Sequence, residues 1–398
     1  MLRREKYAAG FRERLGNYPA FQKDSRPVIW LHCVSVGETN AARPLIDKLL
    51  AQFPDHLLVF STTTRTGQEL ARNIFKGKAA AIFYFPFDWK FSVRRALKNY
   101  RPSIVLLMET EIWPRFFRES HRSGAKLAIV NGRLSERSFR RYSRVKGFVR
   151  KVLGCVDLAL MQGKKDAERI VSLGLDAKKA SVTGNLKFDL AFDESETALT
   201  EQFRRRFDID GTRPLIVAAS THDSEERLLM DALEDVGLPF RILFAPRHPE
   251  RFDTVAALLT KTQYSFARRS NPPAESDKRT DIILLDSIGD LRSVFPLGDI
   301  VFVGGSLIPH GGQSILEPAS VGRAIIVGPY TSNFAEVIKA FLEHDAIIQT
   351  SGPLSDAFKE LLADTTKRDA YGKRALDVMN SSLGATDKTI KELQPLLT

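Results

Sequence analysis

Two cysteines in 398 residues leave no disulfide framework to build on. Cys33 and Cys155 both stand in apolar, strand-like runs, which predicts buried, inert thiols in a reducing compartment. Long apolar runs are missing as well. No stretch approaches the roughly 18–20 residues that span a bilayer, and the first residues carry no signal-peptide pattern, so a soluble or peripheral protein is expected. The seven histidines are scattered, without HExxH or HxxxH spacing, and no metal site is predicted. A P-loop is lacking, as is GxGxxG followed by an acidic residue at the right distance, which argues against ATPase and dehydrogenase chemistry.

Acidic residues are also short, 48 against 59 Lys and Arg, for a net charge of +11 that calls for an anionic partner. Residues 1–26 carry Arg3, Arg4, Lys6, Arg12, Arg14, Lys23 and Arg26 against Glu5, Glu13 and Asp24. This opening segment could lie on a membrane as a short basic amphipathic helix with Leu2, Tyr7, Phe11 and Leu15 on its apolar side. A second run holds Arg133, Arg137, Arg140, Arg141, Arg144, Lys146, Arg150 and Lys151 against Glu136 alone. Only Phe139, Tyr142 and Phe148 interleave with it, too few stacking aromatics for a nucleic-acid partner.

What is present is an alternation of apolar runs and helical segments. Runs at 28–35, 57–61, 81–85, 103–108, 126–130 and 157–161 precede a polar stretch at 189–212, and others follow at 214–220, 240–246, 281–286, 299–305 and 324–329. Strands apolar on both faces predict parallel sheets wrapped by helices, hence an α/β chain with two Rossmann-like domains. The expected divisions are 1–188, a linker at 189–212, a second domain at 213–380 and a last helix at 381–398 packing on the first domain. The stretch 268–280 reads as an exposed insertion.

Ligands of such sheets bind beyond the carboxyl ends of the strands, and the unusual residues gather there. Glu38 follows the first run, beside a helix whose N-cap is expected at Thr39 or Asn40, as a candidate general base. STTTRTG (61–67) suggests a polar helix start. Glu109 and Glu111 follow the fourth run, with Arg133 and Lys187 as possible cations to meet them. In the second half the candidates are His222, Arg247 and His248, then Gly304, Gly305, Gly311 and Gly312, whose missing side chains would let backbone approach a ligand. The following helix is expected to begin near Gln313 or Ser314, with Glu317 in its first turn able to accept ribose hydroxyls.

The motifs HCVSVGETNAARPL, STTTRTG, FPFDW, METEIWP, NGRLSERS, GNLKFD, ASTH, APRHPERF, LLDSIGDL and GGSLIPHGGQSILEP, in this order, resemble the 3-deoxy-D-manno-octulosonic acid (Kdo) transferases over about residues 5–340. The resemblance implies a GT-B fold, two Rossmann-like domains whose parallel sheets face each other across a cleft. It implies an inverting, metal-independent glycosyltransferase without cofactor, moving Kdo from CMP-Kdo to the lipid A precursor in lipopolysaccharide biosynthesis. The first domain would bind acceptor and the second the CMP-sugar. Residue by residue, Glu38 matches the family's base, and Glu109 and Lys187 match groups that stabilise the transition state. Pro246 and Arg247, the Asp286-Ser287-Ile288 turn, and Ser314-Ile315-Leu316-Glu317 match the CMP-binding segments. Gln313-Ser314 stands where the family usually has His-Asn. The family usually begins with an apolar anchor helix, whereas this sequence opens on the basic segment that follows it. Either an anchor was removed from this sequence or this member relies on charge, and a peripheral place on the cytoplasmic face of a bacterial inner membrane is expected. The alternatives at this point are another GT-B nucleotide-sugar transferase or an enzyme like the UDP-sugar 2-epimerases.

Overall fold

The structure, a computed structural model, describes residues 9–22, 24–189 and 194–398. Leu2, Arg3, Arg4, Glu5, Lys6, Tyr7 and Lys23 of the expected amphipathic start lie outside the described residues. The chain divides into two units, Met1–Asp189 with Ser382–Thr398, and Leu190–Ser381.

In the first unit the apolar runs become strands β1 (Val28–Cys33), β2 (Leu57–Thr62), β3 (Ala81–Tyr84), β4 (Ile104–Met108), β5 (Lys126–Gly132) and β6 (Leu158–Met161). A short edge strand, β7 (Ala180–Val182), completes a parallel sheet of order β3-β2-β1-β4-β5-β6-β7 among the described residues. Every residue of β1 is buried because both faces of the sheet are covered. The two-residue period sends Val28 and Trp30 into one core with Val105 and Leu107. Ile29, Leu31 and Cys33 enter the other with Leu106 and Met108. That second core is finished by the last helix, Ala385–Leu397, through Ile390, Leu393 and Leu397. Asp189 holds the start of this helix, accepting from the Gly384 and Thr386 amides at 2.8 and 2.5 Å. We expect Asp189→Ala to lower thermal stability by about 1 kcal/mol, the usual worth of a cap, with hydrogen exchange rising first in Ala385–Leu397.

The second unit repeats the plan. Strands β8 (Leu215–Thr221), β9 (Arg241–Pro246), β10 (Phe266–Arg268), β11 (Ile282–Leu284), β12 (Ile300–Val303), β13 (Ala324–Val327) and β14 (Ile348–Gln349) form a parallel sheet of order β10-β11-β9-β8-β12-β13-β14. Helix Thr365–Ser382 lies so close to the turn before β13 that a Cβ on Gly372 would sit 2.1 Å from the Gly322 carbonyl oxygen. Gly→Ala ordinarily favours a helix by about 1 kcal/mol. Gly372→Ala should instead lower stability by about 1–3 kcal/mol, read as a drop in melting temperature, because the backbone on both sides must move.

Several sequence expectations change here. The stretch 189–212 is not a plain linker: helix Glu194–Phe207 occupies most of it and buries Phe203 and Phe207 within the second unit. The 268–280 stretch is exposed over most of its length, as expected, but it is pinned to the second unit. Asp277, nearly buried, pairs with Arg206 at 2.8 Å and receives the Ala274 amide at 3.1 Å. Cys155 is only half-buried, after helix Lys146–Leu153, so full burial holds for Cys33 alone. Burial pushes both thiols up, which keeps them unreactive. Among the described residues of the amphipathic start, Phe11–Arg14 is helical. Arg14 is buried, with its guanidinium bonded to the Ala9 and Thr63 carbonyls, and therefore serves the fold instead of a surface.

Candidate active site

Strand order decides where each unit can bind. In the first sheet β2 and β3 step away from β1 on one side while β4 to β7 extend on the other. The crevice of such a sheet opens beyond β1 and β4, where the order reverses. Glu38 follows β1 and Glu109 follows β4.

Glu38 is placed by its helix start. The N-cap of helix Val36–Ala41 is Ser35, not Thr39 or Asn40 as expected from the sequence. Ser35 and Glu38 form an S-x-x-E capping arrangement, the Ser35 hydroxyl taking the Glu38 amide at 3.4 Å and donating to its Oε1 at 2.9 Å. The Val34 amide donates to Oε2 at 2.7 Å. The residue is 7% exposed. Burial and then the neighbouring Glu109 raise its carboxyl to about 7, with Glu111 adding and the Val34 and Ser35 hydrogen bonds opposing. A carboxyl that exchanges its proton near neutrality is suited to general-base work.

Glu109 adopts a left-handed conformation, φ 55°, and so does Asn131 at the end of β5, φ 53°. Such backbone is uncommon outside glycine and costs of order 1–3 kcal/mol unless its surroundings hold it. The Glu109 amide donates to the Val130 carbonyl at 3.0 Å, and its carboxylate accepts from Arg133 at 2.9 Å and Lys187 at 3.5 Å. Lys187 lies in the 3-10 turn Leu186–Phe188, whose amides are taken by Asn131 Oδ1 at 3.0 Å and Asn185 Oδ1 at 3.1 Å. Thus three sequence candidates, Glu109, Arg133 and Lys187, meet directly, and Glu38 and Glu111 stand close enough to interact electrostatically. Sequence reasoning missed Asn131, although its place directly after Val130, opening the NGR turn, was the available signal. Three hydroxyls of STTTRTG serve the fold: Thr64 caps helix Arg65–Ile74, Thr62 binds Gln68 and Ser61 binds Trp30.

In the second sheet the order reverses between β8 and β12. Glu225, fully buried, joins the two connections that leave these strands. It accepts from the His222 amide at 2.9 Å and from those of Gly305, Ser306 and Leu307 at 2.7, 3.0 and 3.0 Å. Two of the four candidate glycines, Gly304 and Gly311, are crowded by neighbouring protein. A Cβ on Gly304 would lie 2.6 Å from the Ser220 carbonyl, and one on Gly311 2.7 Å from the Asn333 side chain. Gly312 returns its amide to the Gly305 carbonyl at 2.8 Å, closing the loop.

The expected nucleotide segments are only partly accessible. The helix after the loop is Leu316–Ser320, starting two to three residues later than expected and only five residues long. A single turn has too few aligned peptide dipoles to serve as an anion site. Ile315 and Leu316 are buried. Ser314 instead takes the Leu316 amide at 3.4 Å. Glu317 is half-buried and pairs with Arg292 at 3.3 Å. Asp286 is a strut: Arg268 donates at 2.6 Å, and the Ser270 amide and hydroxyl at 2.8 and 2.5 Å. Burial raises its carboxyl, but these donors outweigh it and leave the group below its usual range. Ser287 binds Asp290 at 2.7 Å, Ile288 is 80% exposed and Pro246 ends β9. Arg247 is exposed, with its amide on the Thr221 carbonyl at 2.9 Å.

Residues 9–190 match the family profile described as 3-Deoxy-D-manno-octulosonic-acid transferase (kdotransferase). A 3-deoxy-D-manno-octulosonic acid transferase of Haemophilus influenzae is 32% identical, the alignment covering 98% of this chain and 92% of that protein. A transferase of the same name from Bordetella pertussis is also 32% identical, over 93% of this chain and 87% of its own length. Among solved structures, a UDP-GlcNAc 2-epimerase from Neisseria meningitidis superposes with a TM-score of 0.59 at 13% identity, covering 93% of this chain and 100% of that one. A glycosyltransferase from Rickettsia africae gives 0.56 at 12% identity, covering 94% and 100%. These two share the fold alone. With a buried carboxyl poised beyond β1 and relatives matched from end to end, the chain belongs to the 3-deoxy-D-manno-octulosonic acid transferases, which are glycosyltransferases.

Proposed function

We propose that the chain moves Kdo from CMP-Kdo to a hydroxyl of the tetraacylated lipid A precursor by a single inverting displacement. Glu38 is the base: it takes the proton of the acceptor hydroxyl as that oxygen attacks the anomeric carbon and the C–O bond to CMP breaks. The observation that carries this reading is the Glu38 carboxyl, buried and raised to about 7 beside Glu109. Lys187 and Arg133, converging on Glu109, are basic groups suited to the acidic sugar and the charge that develops in the transition state. Two donors of the same strand ends, Thr110 Oγ1 and Asn131 Nδ2, are buried without a protein partner, which favours a polar ligand there. The second unit binds CMP, with Pro246, Arg247, the 286–288 turn and the 314–317 segment as its contacts. Basic side chains then meet the leaving phosphate's charge without a metal.

Incubating the full chain with CMP-Kdo and the lipid A precursor, and weighing the products by mass spectrometry, tests reaction, donor and acceptor together. The expected result is an added Kdo mass and released CMP. Bound CMP displaced equally well by UDP would favour a different nucleotide sugar.

The proposal places the protein peripherally on the cytoplasmic face of the inner membrane. No helix among the described residues is long and apolar enough to cross a membrane. Exposed Phe11, Trp89 and Phe91 run in a string through Phe87, with ring centroids 5.8, 5.1 and 5.7 Å apart, and Arg12, Lys90 and Arg95 stand along the same segments. Aromatics that insert at the interface and cations worth roughly 1 kcal/mol each on an anionic surface suit such attachment. Trp89→Ser with Phe91→Ser should abolish sedimentation with phosphatidylglycerol vesicles while leaving the melting temperature within a few degrees. Undiminished binding would remove this surface from the reading.

A further inference from the structure

Three histidines that the proposed reaction does not use lie together in the second unit. His222 follows β8, His248 follows β9 and His310 belongs to the loop after β12, and these three strands are neighbours in the sheet. The His222 and His310 ring centroids are 4.5 Å apart, and those of His222 and His248 5.4 Å apart and perpendicular. Nothing in their sequence spacing announces this.

The cluster is built, not incidental. Glu225 ties the His222 amide to the amides of 305–307, setting the β8 and β12 connections against each other. Asn333 then fixes the far side of the loop, donating to the His310 carbonyl at 2.9 Å while its own amide meets the Gly311 carbonyl at 2.9 Å. His222 is buried, whereas His248 and His310 are exposed, so the group opens on one side.

Its chemistry follows from hydrogen placement. His222 Nδ1 lies 3.1 Å from the Ser220 carbonyl, which can only accept, so Nδ1 carries hydrogen and Nε2 of the neutral ring is a lone pair. A second proton turns Nε2 into a donor. The surrounding charges are partly committed elsewhere. Glu225, 3.9 Å from His222 Nδ1, spends its oxygens on four amides, and Glu226 is held by Arg251 at 2.8 Å. Asp223 also faces Arg251, at 3.5 Å, and Glu250 stands 3.9 Å from His248. Arg247 precedes His248 on the same turn. Burial, and the nearness of His310 and His248, lower the His222 imidazole below its usual range, while Glu225 and the Ser220 carbonyl oppose this. An added anion would reverse that balance. Protonated imidazoles carry positive charge and present N–H donors on both ring nitrogens, which suits an anion as the ligand of the cluster.

We propose that His222, His248 and His310 form a proton-coupled site for a phosphate-type dianion, binding it as the cluster takes up a proton and releasing it as the proton is lost. In naming the dianion as the leaving nucleotide, the inference rests on the donor reading above. When the sugar–phosphate C–O bond breaks, the bonding pair stays on the phosphate oxygen. A singly charged diester thereby becomes a doubly charged monoester. The acceptor's proton goes to Glu38, and the cluster's proton comes from solvent. The three rings would thus match the charge that transfer creates.

The test uses the full chain with 13C-labelled histidine, whose seven imidazoles are few enough to follow individually by NMR. Spectra are titrated from about pH 5 to about pH 8.5 in sulfate, a dianion that does not itself titrate there, and in chloride at equal ionic strength. His222→Gln, His248→Gln and His310→Gln assign the signals, and the last two alter exposed rings. Titration midpoints of at least two cluster rings should rise by about half a pH unit or more in sulfate, with His56, His121 and His344 unmoved. No rise, or an equal rise in all exposed rings, overturns the site. A parallel CMP titration separates the two readings. CMP that binds wild type and His310→Gln equally, with the rings unmoved by sulfate, sinks the anion site and leaves the donor reading standing. Sulfate-dependent shifts without CMP binding do the reverse.

Discussion

Glu38→Gln should reduce transfer by about 10²–10⁴-fold while CMP binding to the second unit stays unchanged, because only the proton-accepting oxygen is lost. The wild-type rate should climb as pH rises through about 7, where the Glu38 carboxyl gives up its proton. Stability should move the other way. The folded carboxyl is raised from 4.5 to about 7, so between those values the unfolded chain has released a proton that the folded chain still holds. Folding is therefore favoured below about 4.5, loses stability as pH rises through the window and is level above about 7, by a total on the order of 3 kcal/mol. Glutamine stays neutral and lacks this slope. It satisfies only one of the two donors, the Val34 amide or the Ser35 hydroxyl, at a cost of about 1 kcal/mol or more. The melting temperature of Glu38→Gln relative to wild type should consequently increase from pH 5 to pH 8. Full activity in the variant, or a wild-type rate flat through neutrality, would remove Glu38 as the base.

The second large effect belongs to Glu225. Four backbone amides from two connections converge on one fully buried carboxylate. Glu225→Ala strands them, and each buried donor left unmet costs about 1–3 kcal/mol. Even with partial relaxation the loss should exceed about 4 kcal/mol, a large share of the stability of a typical domain. Glu225→Gln keeps one accepting oxygen but turns an NH₂ group toward the amides, and should fall between the two. Hydrogen exchange read by mass spectrometry should show residues 304–312 opening to solvent in the alanine variant, with peptides of the first unit unchanged. A variant that melts and exchanges like wild type would refute this role.

How much of this was legible depends on the kind of residue. Runs such as Val28–Cys33 declare themselves because a strand covered on both faces must be apolar throughout. The edge strands β7, β10 and β14, two or three residues long and half-buried, carry no such mark. The S-x-x-E pattern at Ser35–Glu38 is a local helix-start signal, with the same glutamate serving as capping partner and candidate base. Nothing local distinguishes Glu225 from an ordinary first-turn acid, since three of its four amide partners lie 80 to 82 residues away.

From the sequence alone came the α/β class, the family motifs and the strand-end addresses of Glu38, Glu109, Arg133 and Lys187, because these depend on local pattern. The tertiary structure alone decided which of them meet, that Gly304 makes room for the Ser220 carbonyl and Gly311 for the Asn333 side chain, that Asp286 is a strut and that three distant histidines share one corner. It also raised the Glu38 carboxyl to about 7. Burial and the field of Glu109 arise only when β1 and β4 lie side by side, and no run of neighbouring residues encodes that separation.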